Sequence, residues 1–336
     1  MNNILSIGIT SYKRIKELER CLKSIQTEYV DDIEIIVSED HSPLYKEIGE
    51  LVERLAKKSK YRLLFLNNEI NLGYDMNLGS IIQKCSGEYI FLLSDDDMVE
   101  EKSLDKLIPL LKENRPEGVI YAPFIYNHNG EWDRYRGDNI KSIKGEKSAA
   151  EYLYDSILFS GLIFKKKYVE KIDASRFKNY NYFQVYLFLE MIYKYGGLYI
   201  PFPTIRCIGD GENAYGLSES SGGNEKLANR KSVKSNLEFN KTLIKIIRVF
   251  DNDEGTNVFK SFEKQYSLHS YTGLSIARNE SVKYFKEYWN VLNSLDLYIY
   301  PIAKIYYIIL LLLGKKKADR LLSGFRKLVK RRKNNG

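Results

Sequence analysis

Alternating strand and helix patterns fill the first 120 residues and constrain the fold more than any other feature of the chain. Short apolar runs that predict strands lie at 4–10, 33–37, 61–66, 89–93 and 118–121. Segments with apolar residues at helical spacing lie between them, at 14–27, 44–58, 76–85 and 104–113. Because the connections are short, this order predicts an α/β fold, a mostly parallel Rossmann-like sheet with helices on both faces.

Polar side chains follow the predicted strands at their carboxyl ends. The first strand leads into Thr10, Tyr12 and Arg14, the second into Asp40, and the loop after the third contains Asn71. The carboxyl ends of parallel strands lie along one edge of a sheet, where ligands bind. The sequence therefore predicts a cleft for a polar ligand at this edge.

Three consecutive carboxylates, Asp95, Asp96 and Asp97, follow the strand at 89–93. Adjacent carboxylates repel one another unless a cation balances them, and Mg²⁺ and Mn²⁺ favour such oxygen ligands. A metal site is one interpretation of this motif. The alternative is an acidic start to the helix at 104–113, since carboxylates favour helix N-termini.

Four segments resemble, in chain order, the family 2 glycosyltransferases of GT-A fold: 7–14, 35–42, 71–77 and 87–97. A later region, 182–187 and 209–213, is similar to the abequosyltransferase-like enzymes of surface-polysaccharide assembly. The resemblance covers roughly the first 60% of the chain. It implies metal-dependent, inverting transfer of a hexosyl or deoxyhexosyl group from a nucleotide-diphosphate donor to a lipid-linked or polysaccharide acceptor.

The same resemblance implies a role for individual residues. The donor-binding residues would be Thr10, Tyr12, Arg14, Asp40, Asn71, Asp95 and Asp96. Asp97, with Asp95, would hold Mn²⁺ or Mg²⁺, which stabilises the charge that develops on the leaving diphosphate. For Asp40 the alternative is a turn residue, and for Arg14 a solvated helix start.

An inverting transfer also needs a general base for the acceptor hydroxyl. Many relatives place an acid before a late helix, but here that position is Gln184, which cannot accept the proton. Asp210 and Glu212, in a glycine-flanked loop, are the candidate bases, with an exposed acidic turn as the alternative. Gln184 is then expected either to bind a sugar or to lie on a polar helix face.

The C-terminal end predicts a second kind of surface. Residues 295–313 are apolar but interrupted by Asp296, Pro301 and Lys304, so they fall short of the roughly 20 residues needed to span a bilayer. Residues 315–336 carry ten basic side chains and one acid, and helical spacing of their apolar residues predicts a basic amphipathic helix. Attachment to an anionic membrane surface is the favoured interpretation. A tilted or re-entrant helix and an oligomerisation bundle remain alternatives.

The predicted division of the chain is a GT-A domain at 1–215, a helical region at 216–294 and a membrane-association segment at 295–336. Outside the basic tail the charge is close to balanced, which argues against a nucleic-acid partner. Three scattered cysteines and an N-terminus without a signal pattern favour the cytoplasmic face of the cell membrane.

Other functions and contacts stay open at the level of the sequence. A non-catalytic nucleotide-sugar-binding or membrane scaffold protein and a nucleotidyltransferase on a similar sheet are the competing functions. Trp132, Tyr135 and Tyr152 are expected either to stack on sugar rings or, more commonly for aromatic residues, to lie in the core.

Overall fold

The computed structural model describes residues 3–208, 233–295, 297 and 300–334. The chain divides into two compact units, one of Met1–Asn224 with Lys245–Val258 and the other of Glu225–Ile244 with Phe259–Gly336. The three-part division predicted from the sequence, with boundaries at 215 and 294, stays a prediction.

Eight strands form the main sheet of the first unit, in the order β3-β2-β1-β4-β10-β6-β11-β9. They are β1 Leu5–Ser11, β2 Ile33–Glu39, β3 Arg62–Asn67, β4 Tyr89–Ser94, β6 Val119–Tyr121, β9 Lys141–Ile143, β10 Ile163–Lys165 and β11 Gly197–Tyr199. The first four pair in parallel, whereas β10 lies antiparallel between β4 and β6. The predicted α/β architecture is therefore confirmed, with two strands that break the parallel order: β10, inserted between β4 and β6, and β9, at the edge beside β11.

Helices connect these strands. Each helix has an apolar stripe, and burial of this stripe holds the helix against the sheet. Those in the first half of the chain are α1 Ile15–Ser24, α2 Tyr45–Ala56, α3 Tyr74–Lys84 and α4 Ser103–Asn114. In α1 the buried stripe consists of Leu18, Cys21 and Leu22, at the spacing of one helical face. This packing fixes the strand ends that lie next to each helix start.

The later helices of the first unit are shorter. They are α5 Gly145–Tyr152, α6 Lys166–Val169 and α7 Phe183–Glu190. Every residue of α7 is buried, and a single π-helical turn, Met191–Tyr195, continues it. The α-helical hydrogen bonding therefore ends at Glu190, and the π-helical turn follows directly.

A second sheet of four short strands adjoins the acidic motif. Its order is β5-β12-β7-β8, formed by β5 Met98–Val99, β7 Phe124–Tyr126, β8 Trp132–Asp133 and β12 Ile205–Cys207. Because β5 begins directly after Asp97, this sheet starts at the motif. The sequence did not predict it, since two- and three-residue strands leave no periodicity to detect.

The second unit is helical in its described residues. Its helices are α8 Val233–Glu254, of which only the part before Lys245 belongs to this unit, and then α9 Val258–His269, α10 Tyr271–Glu280, α11 Val282–Ser294 and α12 Pro301–Asn334. Gly314 interrupts α12, with φ of 66°. Ala303 and Leu310 are buried on one side of α12 before Gly314, Ala318 is buried after it, and Tyr271 donates a hydrogen bond to Asp319. Among the helices of the described residues, none combines the length and the hydrophobicity that a bilayer span requires.

Close approach of two backbones requires glycine at the start of β6. Gly118 has φ of 87°, and a Cβ there would lie 1.8 Å from the carbonyl oxygen of Gly196, which accepts the Val119 N–H. A side chain would therefore push β6 away from the segment that leads into β11.

We expect Gly118→Ala to lower the free energy of unfolding by about 3 kcal/mol or more, because steric overlap adds to left-handed strain. Gly130→Ala is the matched control, since Gly130 has φ of 69° but no atom within 4 Å of the point that a Cβ would occupy. The control should lose only about 1 kcal/mol. Chemical denaturation of both variants measures the difference, and equal losses would contradict this steric account.

Candidate active site

The carboxyl ends of β2, β1 and β4 lie side by side. Thr10 of β1 pairs with Ser38 of β2 and with Ser94 of β4 in the parallel register. The segments that follow these three strands therefore meet at one edge of the sheet. This edge is where the sequence predicted a cleft.

The acidic motif is buried and tied to the end of β1. The Arg14 guanidinium lies 2.8 Å from Asp95 Oδ1 and 3.1 Å from Asp96 Oδ2. The backbone N–H of Tyr12 donates to Asp95 Oδ2 at 3.3 Å. Predicted donor-site residues from two separate segments, 10–14 and 95–96, are thus brought together.

Asp97 has different partners from its two neighbours. Its carboxylate accepts a hydrogen bond from the backbone N–H of Ile208, at the end of β12, and from the side chains of Ser160 and Cys207. The Ser160 hydroxyl also accepts the N–H of Ser94 at 3.0 Å. Asp97 therefore connects β4, the second sheet and the loop that precedes β10.

The charges of the motif are incompletely balanced. Burial, opposed by Arg14 and reinforced by the Asp96 charge, raises the pKa of Asp95 to about 7. Burial and the same Asp96 charge raise the pKa of Asp97 to about 6. Arg14 pairs with Asp95 and Asp96, and the Arg20 guanidinium donates to the Asp96 carbonyl, yet the pKa of Asp95 stays raised, so additional positive charge would favour its ionised form.

The donor set fits a hard divalent cation. Carboxylate oxygens are the ligands that Mg²⁺ and Mn²⁺ prefer, and Mg²⁺ commonly uses only one or two of them together with water and substrate phosphates. Within residues 3–208, 233–295, 297 and 300–334, no group of three or more His, Cys, Asp or Glu side chains is arranged to enclose a metal ion. Metal binding by Asp97 and Asp95 therefore stays a prediction.

Asp40 organises the loop that contains Asn71. Its buried carboxylate accepts the N–H groups of Leu72 and Gly73, at 2.7 and 2.9 Å, and the side-chain amide of Asn68 at 3.1 Å. The side chain of Asn71 accepts the same Gly73 N–H. Burial raises the pKa of Asp40, and these hydrogen bonds oppose that rise. Asp40 and Asn71 therefore lie together, beyond the ends of β2 and β3.

Gln184 is buried in a separate set of hydrogen bonds. Its side-chain oxygen accepts from the Tyr74 hydroxyl at 2.9 Å, and its nitrogen donates to the Ile157 carbonyl at 3.1 Å. The amide of Gln184 joins α7 to the start of α3 and to the segment before Ser160. Asp210 and Glu212, the two candidate bases, lie outside the described residues.

Asp75 is a site-forming residue that the sequence did not reveal. It lies in the first turn of α3, where its carboxylate accepts the N–H groups of Asn181 and Phe183 at 2.7 and 3.0 Å. The N-cap residue of α7, Tyr182, makes no side-chain capping hydrogen bond. The carboxylate of Asp75, on α3, therefore accepts the N–H groups that a local cap would otherwise bind. In the sequence it occupies an ordinary helical position, with no local signal of this role.

The aromatic residues considered from the sequence fall into two groups. Trp132 and Tyr135 are each 47% exposed and meet edge to face with ring centroids 6.0 Å apart. Tyr152 is largely buried against Tyr121. Core packing therefore accounts for Tyr152 but not for the other two.

Residues 6–173 match the sequence profile of glycosyl transferase family 2, which is half of the chain, and the chain belongs to that family. The resemblance to the family 2 glycosyltransferases is thus confirmed. The match includes β1 to β4 and the acidic motif.

Two curated relatives come from bacteria. The chain is 28% identical over 170 residues to the GalNAc(5)-diNAcBac-PP-undecaprenol beta-1,3-glucosyltransferase of Campylobacter jejuni, covering 49% of this chain and 53% of the relative. It is 25% identical over 229 residues to an abequosyltransferase of Salmonella typhimurium, covering 62% and 68%. The chain thus matches about half the length of the first of these relatives.

A solved structure shares the fold. The mannosyltransferase PcManGT of Pyrobaculum calidifontis, in complex with GDP-Man and Mn²⁺, superimposes with a TM-score of 0.52 at 14% identity, covering 98% of this chain and 81% of that one. This similarity supports the GT-A architecture of the described residues.

Asp75 predicts a measurable pH dependence of stability. Burial raises the pKa of Asp75 to about 6, although the N–H donors oppose the rise. The folded state therefore holds this proton more tightly than the unfolded state, and the resulting stability is lost as the pH rises through about 6. Between pH 4 and pH 7 the loss should be about 2 kcal/mol.

Asp75→Asn removes this ionisation while keeping a hydrogen-bond acceptor at the start of α7. Between pH 4 and pH 7 we expect the free energy of unfolding of the wild type to fall by more than that of Asp75→Asn. Urea denaturation at several pH values measures both proteins. Parallel pH profiles would show that Asp75 keeps an ordinary pKa in the folded chain.

Proposed function

We propose that this protein is a metal-dependent glycosyltransferase. It would transfer a sugar from a nucleotide-diphosphate donor to a lipid-linked or polysaccharide acceptor during the synthesis of a bacterial surface polysaccharide. The observation that supports this most strongly is the acidic motif Asp95–Asp97 at the strand ends of a family 2 fold. Arg14 forms ion pairs with Asp95 and Asp96 of this motif. The name of the Campylobacter jejuni relative, which contains an undecaprenol-linked saccharide, supports a lipid-linked acceptor.

In this proposal the residues that follow β1, β2 and β3 bind the nucleoside diphosphate. Thr10, Tyr12 and Arg14 lie beside the motif, where a basic side chain suits phosphate oxygens. Asp40 and Asn71 lie on the side where a nucleobase would bind. Asp95 or Asp96 is proposed to contact the ribose.

Asp97, with Asp95, is proposed to hold Mn²⁺ or Mg²⁺. The bound ion would stabilise the negative charge on the leaving diphosphate. Arg14 already neutralises part of the motif and keeps its carboxylates close together. The chain itself therefore orients the ligands before donor and metal bind.

For the proton acceptor we propose Asp210 or Glu212. Ile208, two residues before Asp210, donates its N–H to Asp97, so the chain lies beside the motif just before these two acids. Gln184 lacks a basic oxygen and its amide is bonded to Tyr74 and Ile157. We assign Gln184 the role of holding α7 and the neighbouring loop in place for the acceptor.

The proposed site of action is the cytoplasmic face of the cell membrane, with α12 against the lipid. Ile305, Ile308 and Leu312 are exposed at the spacing of one helical face, opposite the buried side of α12. Lys304, Lys316, Lys317 and Arg320 are also exposed. A helix with exposed apolar and basic side chains binds in the interface of an anionic bilayer.

Two competing functions make different products. A nucleotidyltransferase would release pyrophosphate, whereas the proposed enzyme releases a nucleoside diphosphate. A scaffold protein would bind the donor without turnover. Product analysis after incubation with the membrane glycolipid fraction separates all three.

The donor-site proposal predicts that Mn²⁺ increases the thermal stabilisation by UDP or GDP, since a ligand that binds the folded state raises the melting temperature. Asp97→Asn should abolish the Mn²⁺-dependent part of the shift and lower sugar transfer at least tenfold. Glu113→Gln, which changes an exposed acid on α4, is the control and should match the wild type. Full Mn²⁺-dependent transfer by Asp97→Asn would rule out this metal assignment.

The membrane proposal predicts that Ile308→Ser combined with Leu312→Ser weakens binding to phosphatidylglycerol vesicles, because less apolar area enters the interface. Leu312 and Ile308 are 76% and 53% exposed, so the variant should remain folded. Leu268→Ser on α9, at a leucine that is 51% exposed, is the matched control. Vesicle flotation measures the bound fraction. Binding by the double variant equal to that of the control would exclude this face of α12.

A further inference from the structure

Exposed aromatic side chains lie at the far edge of the second sheet. Trp132 belongs to β8, the edge strand, and Tyr135 follows it two residues after that strand ends. Each ring is 47% exposed, although large aromatic side chains normally lose most of their exposure in a folded domain. Two exposed rings in contact form a local apolar surface with polar edges, supplied by the Trp132 indole N–H and the Tyr135 hydroxyl.

A row of paired residues connects these rings to the acidic motif. Met98, the residue after Asp97, pairs with Arg206, which pairs with Ile125, which in turn pairs with Trp132. Directly paired residues point to the same face of a sheet. Three strand spacings separate the ends of the row, a distance of about 14 Å. One face of the second sheet therefore extends from the motif to Trp132.

Hydrogen bonds fix this edge of the sheet to the motif. Arg134, two residues after Trp132, is buried and donates to the carbonyl oxygens of Leu158 and Ser160. Ser160 in turn holds Ser94 and Asp97 through its hydroxyl. The aromatic pair is thus held by the same loop that positions the proposed metal ligand.

We propose that Trp132 and Tyr135 form a binding site for the saccharide part of the acceptor, an inference that rests on the proposed transferase function. A pyranose ring has an apolar face of C–H groups and a rim of hydroxyls. The negative face of an aromatic ring attracts such C–H groups, while the Tyr135 hydroxyl and the carboxylate of Asp138, which it contacts, suit the rim. The distance to the motif leaves room for the sugar that carries the reacting hydroxyl.

The occupant is a saccharide rather than a second copy of this chain because polar and acidic groups surround the pair. Asp138 is exposed beside the pair and accepts a hydrogen bond from the Tyr135 hydroxyl. Such carboxylates are depleted at the apolar centre of protein interfaces. They are suitable acceptors for the hydroxyl groups of a sugar.

The test separates donor chemistry from acceptor binding. The wild type, Trp132→Ala with Tyr135→Ala, and Trp132→Phe with Tyr135→Phe are compared in two assays. One measures hydrolysis of the nucleotide sugar by water without acceptor, and the other measures sugar transfer to the glycolipid fraction extracted from cell membranes. Thermal unfolding verifies that each variant is folded.

We expect the double alanine variant to keep its hydrolysis rate and to lose about tenfold or more in transfer, through a higher KM for the acceptor, because two ring contacts are removed. The double phenylalanine variant, which keeps both rings, should recover most of the transfer. Equal transfer by the alanine variant and the wild type would overturn the acceptor site. The acceptor site would also be overturned if the alanine variant changed from dimer to monomer on gel filtration and this change accounted for its loss of transfer. Absence of both reactions in the wild type would instead reject the proposed function.

Discussion

The ion cluster of Arg14 with Asp95 and Asp96 is the interaction on which the rest of the site depends. It joins the segment after β1 to the segment after β4, so two loops that are about 80 residues apart in sequence share one geometry. Removing a charged partner from a buried cluster leaves an uncompensated charge, which costs several kcal/mol. Burial raises the pKa of Asp95 despite the opposing Arg14 charge, so further positive charge would favour the ionised form of this cluster. Its structural role and its proposed affinity for a metal–diphosphate pair therefore have one physical origin.

Asp97 extends this connection to parts of the chain that lie far from β1. Through Ile208 and Ser160 it holds the end of β12 and the loop before β10. Arg134 donates to the Ser160 carbonyl, so the second sheet is linked to the motif at both β5 and β8. A single acidic turn thus connects the strand ends proposed for the donor with the aromatic pair, Trp132 and Tyr135, proposed for the acceptor.

The sequence allowed the parallel part of the sheet and its polar edge to be predicted, because strands of six or seven residues between amphipathic helices carry a clear period. It did not allow β5 or β8 to be predicted, since each has only two residues. The antiparallel insertion of β10 depends on long-range pairing with β4 and β6, which no local pattern encodes. Asp75 was missed for the same reason, as its partners Asn181 and Phe183 are more than 100 residues away. Exposure of Trp132 also follows from its place on an edge strand and not from its neighbours in sequence.

A short segment, 71–75, explains why glutamine suits position 184. Gly73 donates its N–H to Asp40, and the next two residues, Tyr74 and Asp75, hold the Gln184 side chain and the start of α7. The proposed nucleobase side and α7 are therefore connected through one turn of α3. Tyr74 contacts Gln184 and also interacts with the Asp75 charge, so a carboxylate at position 184 would add a second negative charge that repels Asp75. An uncharged amide avoids that repulsion and still accepts from Tyr74 while donating to Ile157. The chain thus uses this position to fix α7, which is why we assign the proton-accepting role to the segment after Ile208.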